Sequence, residues 1–313
     1  METSIALPDS YSSLPFKDIS ISHVPASLPT PSQVILLKLN RPQKFNAVTE
    51  RMIEEVVTAY EYLNADDRVK AIVVTGTGRA FSVGADLEIG FSKLLNKLDR
   101  GPPNSTFGGR VTLAIHNCRK PTIMAINGPA AGFGITITLP ATIRIACSSA
   151  KISFAFARRG LVMEAASSYF LPRLVGMSRA LHLVTTGATY IASDPLLNQL
   201  FSELLPTPEE TVARALIIAT EITAQTSTVS TKIMRDMMYR GPSTAEEAHL
   251  LDSKIFLEML RSKDSEEGMK SFTQKREPEF KGTMKDDAPV GWPWWKALPV
   301  TSQESREQRI NKM

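Results

Sequence analysis

One glutamate stands in an apolar setting where a charge is disfavoured. In the stretch RGLVMEAASSYFLPRLVG, Glu164 follows Leu161, Val162 and Met163 and precedes two alanines. Burial among apolar groups raises the pKa of a carboxyl group, which leaves its carboxylate a stronger base toward a carbon acid. Glu164 is therefore a candidate general base. The alternative is an ordinary acid near the first turn of a helix that starts around Ala165, where the helix dipole stabilises it.

Two glycine-containing turns, RAFSVGADLEIG and NGPAAGFGIT, follow apolar strand-like stretches. Glycine lets the backbone approach a ligand closely, and a helix that begins after such a turn aims its free N–H groups outward. Either turn alone also fits a tight connection between a strand and a helix. GPAAGFG lacks the GxGxxG spacing and the chain has no GxxxxGK[ST], which argues against dinucleotide and nucleoside-triphosphate sites. Together, the turns predict main-chain donors that converge on one oxygen.

The histidines and cysteines show no spacing typical of metal ligands. Cys118 and Cys147 are the only cysteines, and with the four histidines they form no CxxC, HxxxH or HExxH pattern. We interpret both cysteines as core residues and His116 and His182 as helix residues without a catalytic role. The net charge of +4 comes without a long basic block, so the composition does not require nucleic acid and suits a phosphorylated small molecule equally well.

Alternating strand and helix patterns predict an α/β protein. FKDISISHV and VILLKLN have strand patterns and are expected to pair as a hairpin. AVTERMIEEVVTAYEYLNAD has apolar residues at helical spacing, and the apolar centre of DRVKAIVVTGTG predicts a strand buried on both faces. RVTLAIHNCRK and PTIMAINGPAAG repeat this order of helix and strand, and from about residue 165 the pattern becomes helical.

We divide the chain into four segments: a flexible lead-in (1–14), a core (15–205), a helical C-terminal region (206–262) and an extension (263–313). The extension has too little periodic apolar sequence for a core of its own. Its Trp292, Trp294 and Trp295 indicate a tail that packs onto a surface or a partner. No apolar run approaches the ~20 residues needed to span a bilayer.

Several motifs, in order, resemble the crotonase, or enoyl-CoA hydratase/isomerase, superfamily. They are LNRPQKFNAV, GRAFSVGADL, KPTIMAINGPAAGFG and GLVMEAASSYFLPRLVG, and the resemblance runs from about Val34 to Pro206. It implies a crotonase-like spiral of ββα units with a C-terminal helical trimerisation region, and a homotrimer or a dimer of trimers. It also implies an acyl-CoA substrate, with coenzyme A as part of the substrate and no other cofactor.

The resemblance assigns the two oxyanion donors to the backbone N–H groups of Ala85 and Phe133. Many hydratases have glycine at the position of Phe133, whereas the Δ3,Δ2-enoyl-CoA isomerases have a bulky apolar residue there. The loop that holds the thioester end of coenzyme A would consist of Val83, Gly84, Ala85, Asp86 and Leu87. We interpret the side chain of Asp86 as a helix N-cap. Lys44 is either a ligand of a coenzyme A phosphate or a solvated loop lysine.

The two glutamate positions of the hydratases hold Thr136 and Phe156 here, and neither side chain can act as a base near neutral pH. Glu164 lies in a stretch that resembles the (T/P)EG-x-(S/T)(S/T) segment of the isomerases, where their single catalytic glutamate lies. We therefore expect an enoyl-CoA isomerase of fatty-acid metabolism. The alternatives are an enoyl-CoA hydratase or dehydratase in fatty-acid or specialised metabolite synthesis, and a non-catalytic scaffold that binds coenzyme A.

The last three residues, Asn311, Lys312 and Met313, resemble the peroxisomal tripeptide at the last two positions but have asparagine where a small residue is usual. This ending predicts a peroxisomal location, with the cytoplasm as the alternative.

Overall fold

The computed structural model describes residues 6–86 and 107–298. The strands in these ranges are β1 (Ile19–His23), β2 (Val34–Leu39), β3 (Ala71–Gly76), β4 (Thr122–Ile126), β5 (Ala130–Ala131), β6 (Ile143–Cys147), β7 (Lys151–Ser153), β8 (Thr189–Ile191) and β9 (Glu203–Leu205). The α-helices are α1 (Glu50–Ala65), α2 (Phe107–Asn117), α3 (Phe133–Thr136), α4 (Ser167–Val175), α5 (Met177–Thr186), α6 (Pro208–Gln225), α7 (Thr228–Arg240), α8 (Ala245–Met259) and α9 (Lys263–Gln274).

Six strands form the larger sheet, in the order β1-β2-β3-β4-β6-β9. β1 and β2 pair antiparallel, with Ile21 opposite Leu37, which confirms the predicted hairpin. All the other neighbours in this sheet are parallel, and β3 and β4 are buried at every residue. Because parallel strands end at the same edge of a sheet, the two glycine turns that follow β3 and β4 emerge side by side.

A second sheet of three short strands, in the order β5-β7-β8, supports the second glycine turn. β5 has only two residues and pairs parallel with β7. Directly after β5, the N–H of Gly132 donates to the carbonyl oxygen of Ser153 at 2.9 Å. The sequence does not predict these strands, because two or three residues are too few for a periodic pattern.

Helices cover both faces of the larger sheet. α1 and α2 belong to the main core, to which they contribute residues such as Met52 and Ile115. α6 packs on the opposite face through Ala215 and Ala219. Each face of the sheet therefore has its own apolar cluster.

The C-terminal tail folds back onto helices of the same chain. The indole N–H of Trp292 donates to Asp236 at 2.8 Å, and that of Trp294 donates to the carbonyl oxygen of Arg240 at 2.9 Å. Both acceptors lie on α7, within the region predicted to be helical (206–262). The segment interpreted as an extension begins with a further helix, α9.

In the two described ranges, no helix is both long enough and apolar enough to cross a bilayer. The same ranges contain no group of three or more histidine, cysteine or carboxylate side chains that could hold a metal ion. Cys118 and Cys147 are buried and unpaired with each other.

Candidate active site

The first glycine turn aims a backbone N–H away from the fold at Ala85. Val48 donates its N–H to the carbonyl oxygen of Gly84 at 2.8 Å, and its own carbonyl accepts the N–H of Asp86 at 3.0 Å. In such a bridge the residue between the two bonded neighbours points its polar groups to the opposite side. Within the described part of the chain, the N–H of Ala85 has no hydrogen-bond acceptor.

The second glycine turn presents Phe133 as the first residue of α3. Gly132 has φ of +52°, a conformation that glycine adopts without a steric penalty, and it ends the turn. The first N–H groups of a helix have no partner inside the helix. The N–H of Phe133 likewise finds no acceptor among residues 6–86 and 107–298.

The two turns contact each other through their backbones. Ala131 donates its N–H to the carbonyl oxygen of Ser82 at 3.0 Å. A Cβ atom built on Gly84, whose φ is +92°, would lie 2.7 Å from the carbonyl oxygen of Ala131 and 3.4 Å from the backbone nitrogen of Phe133. The residue before Ala85 therefore lies against the nitrogen of Phe133, as a two-donor oxyanion site requires.

Two buried asparagines hold the first turn in place. Asn46 donates to the carbonyl oxygens of Thr77 and Ala80 at 3.0 and 2.8 Å. Asn127 donates to those of Gly76 and Gly78 at 3.0 and 2.9 Å. Neither anchor is predicted from the sequence, although each asparagine lies within a quoted motif. Asn127 opens the second glycine turn, and this was the available signal, because the amide of such an asparagine can bond the backbone of a turn. Asn46 lies 31 residues before Thr77 in the sequence, and nothing beside it indicates this contact.

The side chain of Asp86 forms an ion pair with Arg41, with Oδ2 and Nη1 2.9 Å apart. This pair ties the first turn to the LNRP segment. Val83 is exposed on the turn, and Lys44 is exposed at the end of a short 3₁₀-helix. Leu87, which was predicted to contact the substrate, lies outside the described residues, so the N-cap interpretation of Asp86 stays a prediction.

Glu164 is partly buried and is hydrogen-bonded to Thr136. The hydroxyl of Thr136 donates to Oε1 of Glu164, with the two oxygens 3.0 Å apart. Burial raises the pKa of Glu164 to about 7, against the smaller opposing effects of the Thr136 hydroxyl and the N–H of Ala165. Thr136, which the resemblance places at a hydratase glutamate position, thus contacts the candidate base. The sequence alone excludes Thr136 as a base and does not indicate this contact.

The backbone after Glu164 is strained. Ala165 and Ala166 have φ of 57° and 52°, in the left-handed region where a residue other than glycine costs about 1–2 kcal/mol. α4 begins only at Ser167, so Glu164 lies before the helix and its carboxylate bonds Thr136 on α3. The helix starts two residues later than the alternative of an ordinary acid near its first turn assumed, and the Glu164 carboxylate has its hydrogen bond with Thr136. Strain at a functional group persists only where the surrounding structure enforces it.

Neither His116 nor His182 contacts Glu164. The ring of His116 packs against those of Phe170 and Tyr239, each with a centroid distance of 5.3 Å. Burial, together with the charge of Arg235, lowers the pKa of His116 to about 3, so this side chain is neutral at pH 7. His182 shares a hydrogen bond of 2.9 Å with the hydroxyl of Tyr190 at the surface.

The arrangement suits proton transfer at a carbon next to a carbonyl group. Two backbone N–H groups, of Ala85 and Phe133, lie in contacting turns without an acceptor in the described part of the chain, and such donors can bind a carbonyl oxygen that gains negative charge. A carboxyl group with a pKa of about 7 is poised to accept and return a proton at neutral pH. Enolate formation needs these two elements.

Comparison with known proteins gives a consistent result. Residues 30–283 match the family described as enoyl-CoA hydratase/isomerase. Two Alternaria alternata proteins, enoyl-CoA hydratase ACTT3 and enoyl-CoA hydratase AFT3-1, are 48% and 47% identical over 263 residues, which cover 84% of this chain and 88% of each relative. The crystal structure of an enoyl-CoA hydratase from Bacillus anthracis superposes with a TM-score of 0.75 at 23% identity, over 85% of this chain and 100% of that one. The predicted crotonase-like fold is thereby confirmed.

Proposed function

This chain belongs to the enoyl-CoA hydratase/isomerase family, and from that premise we propose that it is an enoyl-CoA isomerase that moves a double bond from the 3-position to the 2-position of an acyl-CoA. The observation that carries the proposal is the Glu164 carboxylate, which is partly buried, bonded to Thr136 and raised in pKa to about 7.

The reaction needs one base that acts twice. Glu164 removes a proton from C2 of a 3-enoyl-CoA, and the electron pair moves into the thioester carbonyl to give a dienolate. The N–H groups of Ala85 and Phe133 bind the oxygen of this dienolate, and loss of one such donor typically costs about 3 kcal/mol of transition-state stabilisation. Glu164 then returns its proton to C4, and the double bond forms between C2 and C3. The balance needs no water and no redox partner.

The residues at the two hydratase glutamate positions support isomerisation. Thr136 and Phe156 occupy these positions, so the carboxylate pair that the resemblance implies for water addition is replaced here by a hydroxyl and a ring. Hydration needs water to be activated and C2 to be protonated, whereas isomerisation only relocates one proton. A single carboxyl group is sufficient for the second reaction.

Hydration of a 2-enoyl-CoA is the second candidate, because the Alternaria alternata relatives carry the name enoyl-CoA hydratase. In that reaction Glu164 would both activate the water and protonate C2. The two candidates differ in substrate and product, so a direct assay separates them.

The test is a panel of 3-enoyl-CoA and 2-enoyl-CoA thioesters of short, medium and long chain, assayed with the wild-type protein and with E164Q. The proposal expects 3-enoyl-CoA to become 2-enoyl-CoA, and E164Q to lose this turnover while it still binds acyl-CoA. Formation of 3-hydroxyacyl-CoA from the 2-enoyl substrates, without any isomerisation, would establish the hydratase instead. The same panel identifies the preferred chain length.

We further propose that coenzyme A, as part of the substrate, is the only cofactor and that the protein assembles as a homotrimer or a dimer of trimers. The C-terminal helices expose large apolar side chains, among them Met238, Leu250, Phe256 and Phe272. Exposed apolar residues on neighbouring helices are typical of contacts between subunits. Light scattering after gel filtration should give three or six times the mass of the chain, and a monomer would contradict the assembly.

We propose a peroxisomal location on the basis of the ending Asn311-Lys312-Met313, which lies outside the described residues. A fluorescent protein that carries the last dozen residues should become punctate in cells with labelled peroxisomes. A diffuse signal, unchanged by removal of the tripeptide, would argue for the cytoplasm.

A further inference from the structure

The first turn of α2 passes against the carboxylate of Glu164. A Cβ atom built on Gly108 would lie 1.7 Å from Oε2 and 2.7 Å from the carboxyl carbon of Glu164. It would also lie 2.9 Å from Cε2 of the Phe133 ring. Since non-bonded carbon atoms prefer separations of about 3.5–4.0 Å, the space filled by the carboxylate exists only because residue 108 has no side chain.

The backbone gives no reason of its own for glycine at this position. Gly108 lies inside α2 and is not among the residues with positive φ. In a helix, glycine is less favourable than alanine by about 0.8–1.0 kcal/mol. Glycine at position 108 therefore destabilises α2 locally. The feature that requires glycine there is the close contact with Glu164 and Phe133.

We propose that Gly108 is a positioning residue for the reaction. Because residue 108 has no side chain, the Glu164 carboxylate can occupy the position from which it acts as the base. The inference rests on the proposed function, in which Glu164 is the base. Gly108 forms one wall against Oε2, and the Thr136 hydroxyl holds Oε1 at 3.0 Å. The carboxylate is thus located from two sides, and the ring of Phe133 borders the same space.

An alanine at position 108 should move the carboxylate without unfolding the protein. The atoms in conflict with the new methyl group belong to the Glu164 carboxylate and to the edge of the Phe133 ring, both at the ends of side chains, and the larger overlap is with the carboxylate. To reach ordinary contact distance the carboxylate has to move by roughly 1.5 Å, and this breaks its bond to Thr136. A misplacement of about 1 Å at a reacting group can lower the rate ~100-fold.

The experiment compares G108A with G268A, a matched control. Gly268 lies inside α9, and a Cβ atom there would be 3.6 Å from the Phe280 ring, an ordinary contact. Both changes replace a helical glycine by alanine, the residue with the higher helix propensity. We expect G108A to lower kcat for 3-enoyl-CoA ~100-fold with little change in KM, and G268A to keep full activity. The pH at which kcat/KM is half-maximal should also shift in G108A alone.

A double-mutant cycle with E164D tests whether the effect passes through Glu164. The side chain of aspartate is shorter by one methylene, so it does not reach the wall at residue 108. G108A should therefore lower the rate ~100-fold in the wild-type background and less than ~3-fold in E164D. An equal loss in both backgrounds, which a general disturbance of α2 would cause, would overturn the inference.

The inference and the proposed function fail in different ways. If the wild-type protein does not isomerise 3-enoyl-CoA, the proposed function is wrong whatever G108A does. If the wild type and E164Q both isomerise it, Glu164 is not the base, and the inference about Gly108 is wrong too. If E164Q is inactive and G108A is nearly as active as the wild type, the function stands and the role of Gly108 is wrong.

Discussion

The hydroxyl of Thr136 lies between two acceptors: Oε1 of Glu164 at 3.0 Å and the carbonyl oxygen of Phe133 at 3.3 Å. A hydroxyl has one proton to donate, so it bonds one acceptor at a time. When Glu164 is ionised, the bond to its carboxylate is the stronger one. When Glu164 carries the abstracted proton, it can donate to Thr136, and the hydroxyl can turn toward Phe133. The same contact thus holds the base in both of its protonation states.

Removal of this hydroxyl should shift the pH dependence of the reaction. The Thr136 bond lowers the pKa of Glu164 against the larger effect of burial. In T136V the pKa of Glu164 should rise above 7, and the acidic limb of the kcat/KM profile should move to higher pH by ~1 unit. A shift of this size corresponds to ~1.4 kcal/mol of interaction between the hydroxyl and the ionised form of Glu164. Rates should fall at pH 7 and recover in alkaline buffer.

T136S is the matched control, because serine keeps the hydroxyl and loses only a methyl group. It should restore the pH profile of the wild type. Identical profiles for T136V and the wild type would show that the hydroxyl does not contribute to the ionisation of Glu164.

The wild-type profile itself follows from the pKa of Glu164. The base works only when it is ionised, so kcat/KM should rise with pH and reach half of its plateau near pH 7. E164Q cannot accept a proton, and it should lose at least the ~100-fold that a general base typically contributes. Measured binding of acyl-CoA to E164Q serves as the control for folding. A half-maximal pH near 4.5 would mean that burial does not perturb this group.

The same pKa makes stability depend on pH. Between an ordinary pKa of 4.5 and the folded value of about 7, the folded state keeps a proton that the unfolded state has lost. Wild-type stability therefore falls as pH rises through this window, and the whole loss is present above pH 7. E164Q has no such proton, so its stability relative to the wild type should increase from about pH 5 to about pH 8, by at most ~3 kcal/mol.

Thermal unfolding of both proteins at the two pH values measures this difference. A difference in melting temperature between the wild type and E164Q that is the same at both pH values reflects the amide itself. Only the change of this difference with pH reports on the pKa of Glu164. The same difference in melting temperature at both pH values would contradict the raised pKa.

Local sequence predicted the elements that are long and periodic, and ordered motifs predicted the site. β3 and β4 could be recognised because strands buried on both faces have continuous apolar sequences. Contacts between distant parts of the chain could not be predicted. Nothing near Gly108 indicates that it faces Glu164, and nothing in the sequence EAASS indicates that Ala165 and Ala166 adopt left-handed backbone angles. These features depend on packing, which a pattern along one chain does not record.

The last prediction separates the backbone of Phe133 from its side chain. Proline is accepted at the first position of a helix because the N–H there has no partner within the helix, and Phe133 is the first residue of α3. F133P should therefore leave the fold intact and remove one oxyanion donor, which lowers kcat by about 10²–10³-fold. F133A keeps the donor and removes a ring that borders the space of Glu164 and Gly108, so it should change acyl-chain preference more than turnover. Acyl-CoA binding and melting temperature, measured for both variants, distinguish a lost donor from a lost fold. Equal losses of kcat in F133A and F133P would show that the ring, and not the N–H, is what the reaction needs.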